Sequence, residues 1–113
     1  MIRKVQRHDA KAIAEIYNYY VNETVATFEV EDVASEVMLE RITNVLVDKL
    51  PWLVAEDEQG NVLGYAYASM WKERFAYRFS VEITVYLAPD TLNKGLGTKL
   101  YKTLFAALKE REV

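Results

Sequence analysis

Residues 79–98 read FSVEITVYLAPDTLNKGLGT, a β-branched run followed by a proline and two closely spaced glycines. The run Phe79–Leu87 predicts a strand that is apolar on nearly both faces, which is typical of a central strand. From Leu96 onward leucines recur every fourth residue, so a helix is expected to open at Gly95 and Gly97. This stretch therefore predicts a strand, a turn and a helix in close succession.

Two helices are predicted in the first half of the chain, with a loop over residues 24–32 between them. The first begins at Asp9, whose side chain offers an N-cap oxygen to the backbone N–H groups that follow. The second begins at Ser35 and stops before Pro51, which cannot continue a helix. Each helix carries an apolar stripe at 3.6-residue spacing. The stripes are Ile13, Ile16, Tyr17, Tyr20 and Val21 in the first helix, and Met38, Ile42, Val45 and Leu46 in the second.

The remaining segments predict further strands and a final helix. Residues 2–5 are short, apolar and basic, as an edge strand can be. Residues 52–56 and 62–69 are β-branched and aromatic runs, and the polar, glycine-containing connection between them indicates an antiparallel hairpin. The last helix carries the stripe Leu96, Leu100, Leu104 and Leu108, with Tyr101 and Phe105 beside it.

Composition excludes several classes of function. The chain has 113 residues, of which 51% are hydrophobic and 27% charged, and this predicts one globular domain over residues 1–113. With 14 basic and 17 acidic residues and a net charge of -3, no basic stripe predicts a nucleic-acid partner. No apolar run approaches the roughly 20 residues that span a bilayer, and no signal peptide is evident, so we expect no membrane partner and a cytoplasmic protein. Without cysteine and with a single histidine, a metal site is not expected.

The turn at residues 93–98 is the strongest local indication of chemistry. Such a turn directs several backbone N–H groups at one point, and the start of a helix adds about half a positive charge, so a phosphate or pyrophosphate is the natural ligand. Taken alone, a G-x-G before a helix is about as often a tight turn as a ligand site. The position of Lys99 does not fit a Walker A loop, and Leu100 replaces the third glycine of a dinucleotide fingerprint.

Six short segments share their order and spacing with one enzyme family. They are IYN at 16–18, YV at 20–21, TFE at 27–29, PWLVAE at 51–56, GYAYA at 64–68 and VEITVY at 81–86. In these segments the chain resembles the phosphinothricin, or amino-acid, acetyltransferase group of the GNAT family of N-acetyltransferases. The resemblance covers the whole chain, while the C-terminal third of the family's domain has no counterpart. It implies an α/β fold of the α+β kind, a mixed and mostly antiparallel sheet with helices on both faces.

The resemblance also implies acetyl-CoA as the co-substrate and places it. The pantetheine arm would lie along Val85, Tyr86 and Leu87, on a strand that splays from its neighbour. The diphosphate would lie on the turn and the helix start, at Asn93, Lys94, Gly95, Leu96, Gly97 and Thr98. The family's loop usually begins with Gln or Arg, whereas this chain has Leu92 there, so one polar contact is expected to be lost.

By the same resemblance, Glu82 is the general base that removes a proton from the amine, and burial on a central strand would suit that role. The alternative is that Glu82 forms an ion pair with Arg74 or Arg78 and takes no part in the reaction. The resemblance assigns the substrate pocket to Phe28, Glu29, Arg74 and Tyr77. Arg74 would bind an anionic group of the substrate through its guanidinium. The alternatives are that Arg74 is a solvated loop residue and that the neighbouring aromatic residues belong to the core.

Two functions are therefore expected from the sequence. The first is an N-acetyltransferase that acts on the amine of a small amino acid or an analogue such as phosphinothricin or methionine sulfoximine. The second is an inactive remnant that binds CoA or dimerises. Because the strand 79–87 would present an unpaired edge, a homodimer that packs two open faces together is also expected.

Overall fold

The secondary structure elements follow one another in the order that the sequence predicts. A computed structural model describes residues 1–23, 31–72, 79–89 and 95–110 of the chain. The elements are β1 (Ile2–Lys4), a 3-10 helix (Arg7–Asp9), α1 (Ala10–Glu23), α2 (Ser35–Val47), β2 (Trp52–Glu56), β3 (Val62–Lys72), β4 (Phe79–Leu87) and α3 (Leu96–Glu110). Within those ranges, no helix is long and apolar enough to cross a bilayer.

The four strands form one antiparallel sheet in the order β1-β2-β3-β4. β1 is an edge strand, as predicted. β4 was expected to be central, but in the described part of the chain it pairs only with β3 and therefore lies at the opposite edge. Its apolar residues are explained by packing on both faces of the sheet. Ile83 contacts both halves of the core, Val85 and Leu87 pack on the α3 side, and Tyr86 packs on the α1 side.

The hairpin between β2 and β3 is confirmed, and its turn is closed by Asp57. One carboxylate oxygen of Asp57 accepts hydrogen bonds from the backbone N–H groups of Gln59 and Asn61, each at 2.9 Å. The side-chain amide of Asn61 donates to the other oxygen at 3.0 Å. Gly60 has a φ of 85°, which a glycine adopts at little cost. Hydrogen bonds from Asn61 hold the pKa of Asp57 below its usual range.

The sheet separates the core into two layers, so helices cover both faces as predicted. On one face α1 and α2 pack their stripes against the sheet, with Ile13, Met38 and Ile42 almost fully buried. On the other face Leu100 and Leu104 of α3 are fully buried against the sheet. Successive residues of each strand alternate between the two layers.

Two of the helix predictions need correction. Leu46 is 47% exposed, because Val45 occupies the inward position in the last turn of α2 and Leu46 lies about 100° further round the helix. α1 is not capped by Asp9, which closes the preceding 3-10 helix. The Asp9 carboxylate accepts instead from the backbone N–H of Gln6 at 2.7 Å, three residues earlier in the chain, and not from the N–H groups that follow it in α1.

A buried carboxylate joins the start of α1 to the sheet. Both oxygens of Asp9 accept from the guanidinium of Arg3 at 2.8 Å, and Arg3 Nε lies 3.1 Å from Glu56 of β2. Burial opposes ionisation of Asp9, but hydrogen bonds from Arg3 and from the Gln6 backbone outweigh it and lower the pKa of Asp9. The hydrogen bond from Arg3 to Asp9 in turn raises the pKa of Arg3. The pair therefore remains charged at neutral pH.

Candidate functional site

The outer edge of β4 presents backbone groups that the sheet does not use. Ala88 donates its N–H to the Leu63 carbonyl at 2.8 Å, and Tyr86 lies opposite Tyr65 in the same register. In an antiparallel ladder, residues alternate between facing the partner strand and facing away from it. The backbone groups of Tyr86 therefore face β3, whereas those of Val85 and Leu87 face the outer edge.

Tyr20 of α1 reaches this edge from one face of the sheet. Its hydroxyl donates to the carbonyl oxygen of Leu87 at 2.5 Å. The Tyr20 ring contacts the rings of Tyr19 and Tyr86, each with 5.1 Å between ring centroids. Burial raises the pKa of Tyr20, so its hydroxyl is protonated at neutral pH and acts as a donor. Towards the edge, Leu87 thus presents its N–H, while its carbonyl is held by α1.

The first turn of α3 lies against the end of β4. A Cβ atom placed on Gly97 would lie 3.4 Å from Leu87 Cδ1, which is ordinary contact, and Gly95 has a φ of 68°. The backbone N–H of Lys99 donates to the Gly95 carbonyl at 3.2 Å. The N–H groups of Leu96, Gly97 and Thr98 precede this hydrogen bond in the helix, where backbone donors have no intrahelical acceptor. The positive end of the helix dipole is therefore beside Leu87.

The structure brings together most of the residues that were predicted to bind the cofactor. Val85 and Leu87 contribute an outward-facing backbone, and residues 95–98 contribute the helix start. Tyr86 differs from the prediction, because its backbone groups face β3. Its ring packs instead against Tyr17, Tyr20 and Tyr65, with centroid distances of 5.5, 5.1 and 5.7 Å. Asn93 and Lys94 lie outside the described residues.

The predicted base, Glu82, is exposed, so the expectation that it would be buried is wrong for this chain. It lies opposite Ser69 in the register of β3 and β4. In the described structure β4 has no strand on its outer side, and nothing on that side covers Glu82. Its alternative partners Arg74 and Arg78 lie outside the described residues. The predicted pocket residues Phe28, Glu29, Arg74 and Tyr77 also lie outside them.

Two residues of the site were not predicted from the sequence. Gly64 of β3 lies opposite Leu87, and a Cβ atom there would lie 2.7 Å from Leu87 Cδ2 and 2.9 Å from the Tyr86 carbonyl oxygen. A glycine inside a strand is a known sign of such close approach. Tyr20 was assigned to an apolar stripe and to a segment shared with the family, but to no site. Its hydroxyl could have predicted a hydrogen bond across the core, because a buried tyrosine usually finds a partner for that group.

Comparison with known proteins agrees with this geometry. Residues 2–113 match the family model described as Acetyltransferase (GNAT) domain. The phosphinothricin N-acetyltransferase of Alcaligenes faecalis is 43% identical over 105 residues, which are 93% of this chain and 53% of that protein. The L-methionine sulfoximine/L-methionine sulfone acetyltransferase of Salmonella typhimurium is 37% identical over 103 residues, which are 91% of this chain and 60% of that protein.

Solved structures show the same similarity. A phosphinothricin acetyltransferase from Sinorhizobium meliloti, in complex with acetyl-CoA, superposes with a TM-score of 0.87 at 38% identity. The match covers 95% of this chain and 58% of that one. A ribosomal-protein-alanine N-acetyltransferase from Brucella melitensis superposes with a TM-score of 0.92 at 34% identity, covering 100% of this chain and 69% of that one.

The fold is that of a GNAT acetyltransferase domain. The chain belongs to the GNAT family, in the group of phosphinothricin and amino-acid N-acetyltransferases. It spans about half to three fifths of the length of the relatives named above from Alcaligenes faecalis and Salmonella typhimurium.

Proposed function

We propose that this chain binds acetyl-CoA and transfers its acetyl group to the amine of a small amino acid or a close analogue, such as phosphinothricin or methionine sulfoximine. The observation that carries the proposal is the outer edge of β4 beside the first turn of α3. The amides of a pantetheine arm can form hydrogen bonds with a strand edge, and the backbone N–H groups at a helix start can bind a diphosphate. Relatives that act on these substrates, and one solved with acetyl-CoA, support the same assignment.

The described residues fit the two parts of acetyl-CoA. Val85 offers an outward N–H and carbonyl, and Leu87 offers an outward N–H, so an amide-bearing arm can pair with β4 as another strand would. The N–H groups of Leu96, Gly97 and Thr98 are donors for phosphate oxygens. Gly97 carries no side chain, and nothing would lie within 4 Å of a Cβ atom on Gly95, so the approach to these donors is open.

In the proposed reaction, the amine nitrogen bonds to the carbonyl carbon of the thioester, the C–S bond breaks, and the departing CoA thiolate takes up the proton that the new amide nitrogen loses. An ammonium group has no free electron pair, so it must lose a proton before it attacks. We assign the removal of that proton to Glu82. Because Glu82 is exposed, it can take the proton directly or through a water molecule.

A second candidate function is that of a module that binds CoA without transferring the acetyl group. The exposure of Glu82 favours it, because none of the described residues encloses this carboxylate in a site that excludes water. The two functions share the edge of β4 and differ in catalysis. Turnover by the parent chain therefore distinguishes them, whereas binding of acetyl-CoA does not.

The first experiment is calorimetric titration of the chain with acetyl-CoA, repeated on a variant with both Gly95→Ala and Gly97→Ala. We expect the chain to bind and the variant to lose binding, because two methyl groups then stand over the N–H groups of the helix start. Gly60→Ala is the matched control. Gly60 also has a positive φ, 85°, and open space around it, so its strain is similar to that of Gly95→Ala, but it lies in the turn between β2 and β3.

The acceptor is then identified by coupled assay with phosphinothricin, methionine sulfoximine and a peptide that begins with alanine. The proposal predicts turnover of the two amino-acid analogues and a loss of about 100-fold or more in Glu82→Gln, the usual contribution of a positioned base. Unchanged turnover in Glu82→Gln would remove Glu82 from the mechanism. A chain that binds no acetyl-CoA would contradict the proposed function.

A further inference from the structure

We infer that Tyr20 is a positioning residue for the cofactor edge of β4 and acts through the carbonyl of Leu87. The inference rests on the proposed function. Tyr20 stands 67 positions before Leu87 in the chain, and its hydroxyl crosses from α1 to the last residue of β4 to donate at 2.5 Å. Among the described side chains, it is the one that reaches an outward-facing backbone group of this edge.

The Tyr20 hydroxyl is held in place by the packing of its ring. Tyr19 meets the ring edge-on, at an interplanar angle of 88°, and Tyr86 packs on it at 49°. Since Tyr86 belongs to β4 itself, Tyr20 joins α1 to β4 at two points, the ring contact and the hydrogen bond. Burial raises the pKa of Tyr20, so the hydroxyl remains a donor over the neutral range.

This hydrogen bond changes what the strand edge offers. An unpaired edge displays alternating donors and acceptors, and any extended chain can pair with it. With its carbonyl engaged by Tyr20, Leu87 presents only an N–H, while Val85 presents both groups. An amide-bearing arm therefore meets a donor alone at Leu87, and this asymmetry sets the register in which the arm can bind. A neighbouring strand is also prevented from completing its ladder at Leu87.

Leu87 transmits the same constraint to α3. Its side chain lies between two glycines, Gly64 of β3 and Gly97 of α3. If the backbone of Leu87 moves, its side chain must move against Gly64 or against the first turn of α3. The Tyr20 hydroxyl thus fixes both the arm-binding edge and the helix start that would hold the diphosphate.

The test compares Tyr20→Phe with the parent chain and with two controls. Tyr20→Phe keeps the ring and removes only the hydroxyl. Tyr19→Phe removes a neighbouring hydroxyl that is half in solvent. Asn18→Ala weakens the attachment of α1 elsewhere, because Asn18 bonds to the backbone of Val33. The chains are labelled with 13C at the Leu87 carbonyl and titrated with acetyl-CoA in the calorimeter.

In Tyr20→Phe we expect a displaced Leu87 carbonyl resonance, faster amide exchange at Ala88, and a Kd for acetyl-CoA that is roughly 3- to 10-fold higher, as loss of one hydrogen bond would give. Tyr19→Phe should match the parent chain in all three measurements. Asn18→Ala should lower the melting temperature without moving the Leu87 resonance or the Kd, which separates positioning from general loss of stability.

An unmoved Leu87 resonance in Tyr20→Phe overturns the inference, and so does an unchanged Kd. If the parent chain binds no acetyl-CoA, the proposed function fails. The resonance and the exchange at Ala88 then decide by themselves whether Tyr20 holds the end of β4.

Discussion

Among the described residues, Asp9 is the charged one that is most deeply buried. It is 2% exposed and receives three hydrogen bonds, two from Arg3 and one from the backbone of Gln6. We predict that Asp9→Asn lowers the free energy of unfolding by about 2–3 kcal/mol at pH 7, because the guanidinium loses its charged partner in a partly buried position. Urea unfolding measures the difference. Glu56→Gln, at the more open end of the network, should cost less than half as much.

The contribution of Asp9 also depends on pH. Its folded-state pKa lies below the ordinary value of 3.8, so its stabilisation is fully present above that value and is lost as the pH falls through the folded pKa. The gap in stability between the parent chain and Asp9→Asn should therefore be constant from pH 7 to about pH 5 and shrink below pH 4. A gap of the same size at pH 7 and pH 3 would show that the carboxylate's charge is not the cause.

The sequence patterns identified the important residues but not the contacts that these residues make with distant parts of the chain. Asp9 was recognised as a helix-start residue, but a pattern along one chain gives no sign of Arg3 approaching from β1. Glu82 was placed on the correct strand, yet its exposure depends on what lies beside β4, which periodicity does not encode. Tyr20 was placed in the correct stripe, while the acceptor of its hydroxyl is 67 residues away in the chain.

At the scale of elements, the two glycines that flank Leu87 should respond in opposite ways to the same substitution. We predict that Gly64→Ala lowers the free energy of unfolding by about 1–3 kcal/mol, because its Cβ atom would lie 2.9 Å from the Tyr86 carbonyl oxygen and force β3 and β4 apart. Gly97→Ala should be neutral or stabilising by up to about 1 kcal/mol, because it meets Leu87 at 3.4 Å and alanine favours a helix. Thermal unfolding monitored by circular dichroism measures both. Equal losses in the two variants would contradict this account.

Asn18 of α1 ties the entry of α2 to that helix through the backbone of Val33. Asn18 accepts from the Val33 N–H at 2.7 Å and donates to the Val33 carbonyl at 2.9 Å. We predict that Asn18→Ala costs about 1–3 kcal/mol, since both backbone groups of Val33 then lose their partner. Asn22→Ala is the control. Asn22 also bonds across to this segment, through Asp32, but in an exposed position, so its removal should cost less than about 0.5 kcal/mol in the same urea titration.

The elements themselves were largely predictable. The bounds of β2 and β4 follow from β-branched runs, and the start of α3 follows from leucines at every fourth position. The start of α2 follows from its apolar stripe, and Pro51 predicts that the helix stops before it. Periodicity failed where an element ends, as at Leu46, because the last turn of a helix has fewer contacts to enforce its pattern. It also could not tell an edge strand from a central one. β4 is apolar on both faces because helices lie on both, and that holds for either position.

For the whole molecule, the homodimer remains a proposal. The outer edge of β4 offers outward-facing backbone groups, and the stacked rings of Tyr101 and Phe105, each 48% exposed, offer apolar surface that a second copy could cover. We predict a concentration-dependent dimer in sedimentation velocity, and a shift towards monomer in the variant Phe105→Glu. Lys102→Glu, a charge change on an exposed neighbour in α3, is the control. A parent chain that remains monomeric at high concentration would contradict the prediction.

The aromatic stack at the joint of β2 and β3 has an optical consequence. The indole of Trp52 lies 4.1 Å from the ring of Tyr67 and 5.7 Å from that of Tyr65, nearly parallel to both. A buried and rigidly oriented chromophore of this kind contributes to near-ultraviolet circular dichroism, a signal that disappears when side-chain packing loosens while helices and strands persist. Because Trp52 lies on the α1 and α2 side of the sheet, this ellipticity reports on that layer. Substitutions at Gly95 and Gly97 can therefore be checked spectroscopically for an undisturbed α1 and α2 layer before any ligand is added.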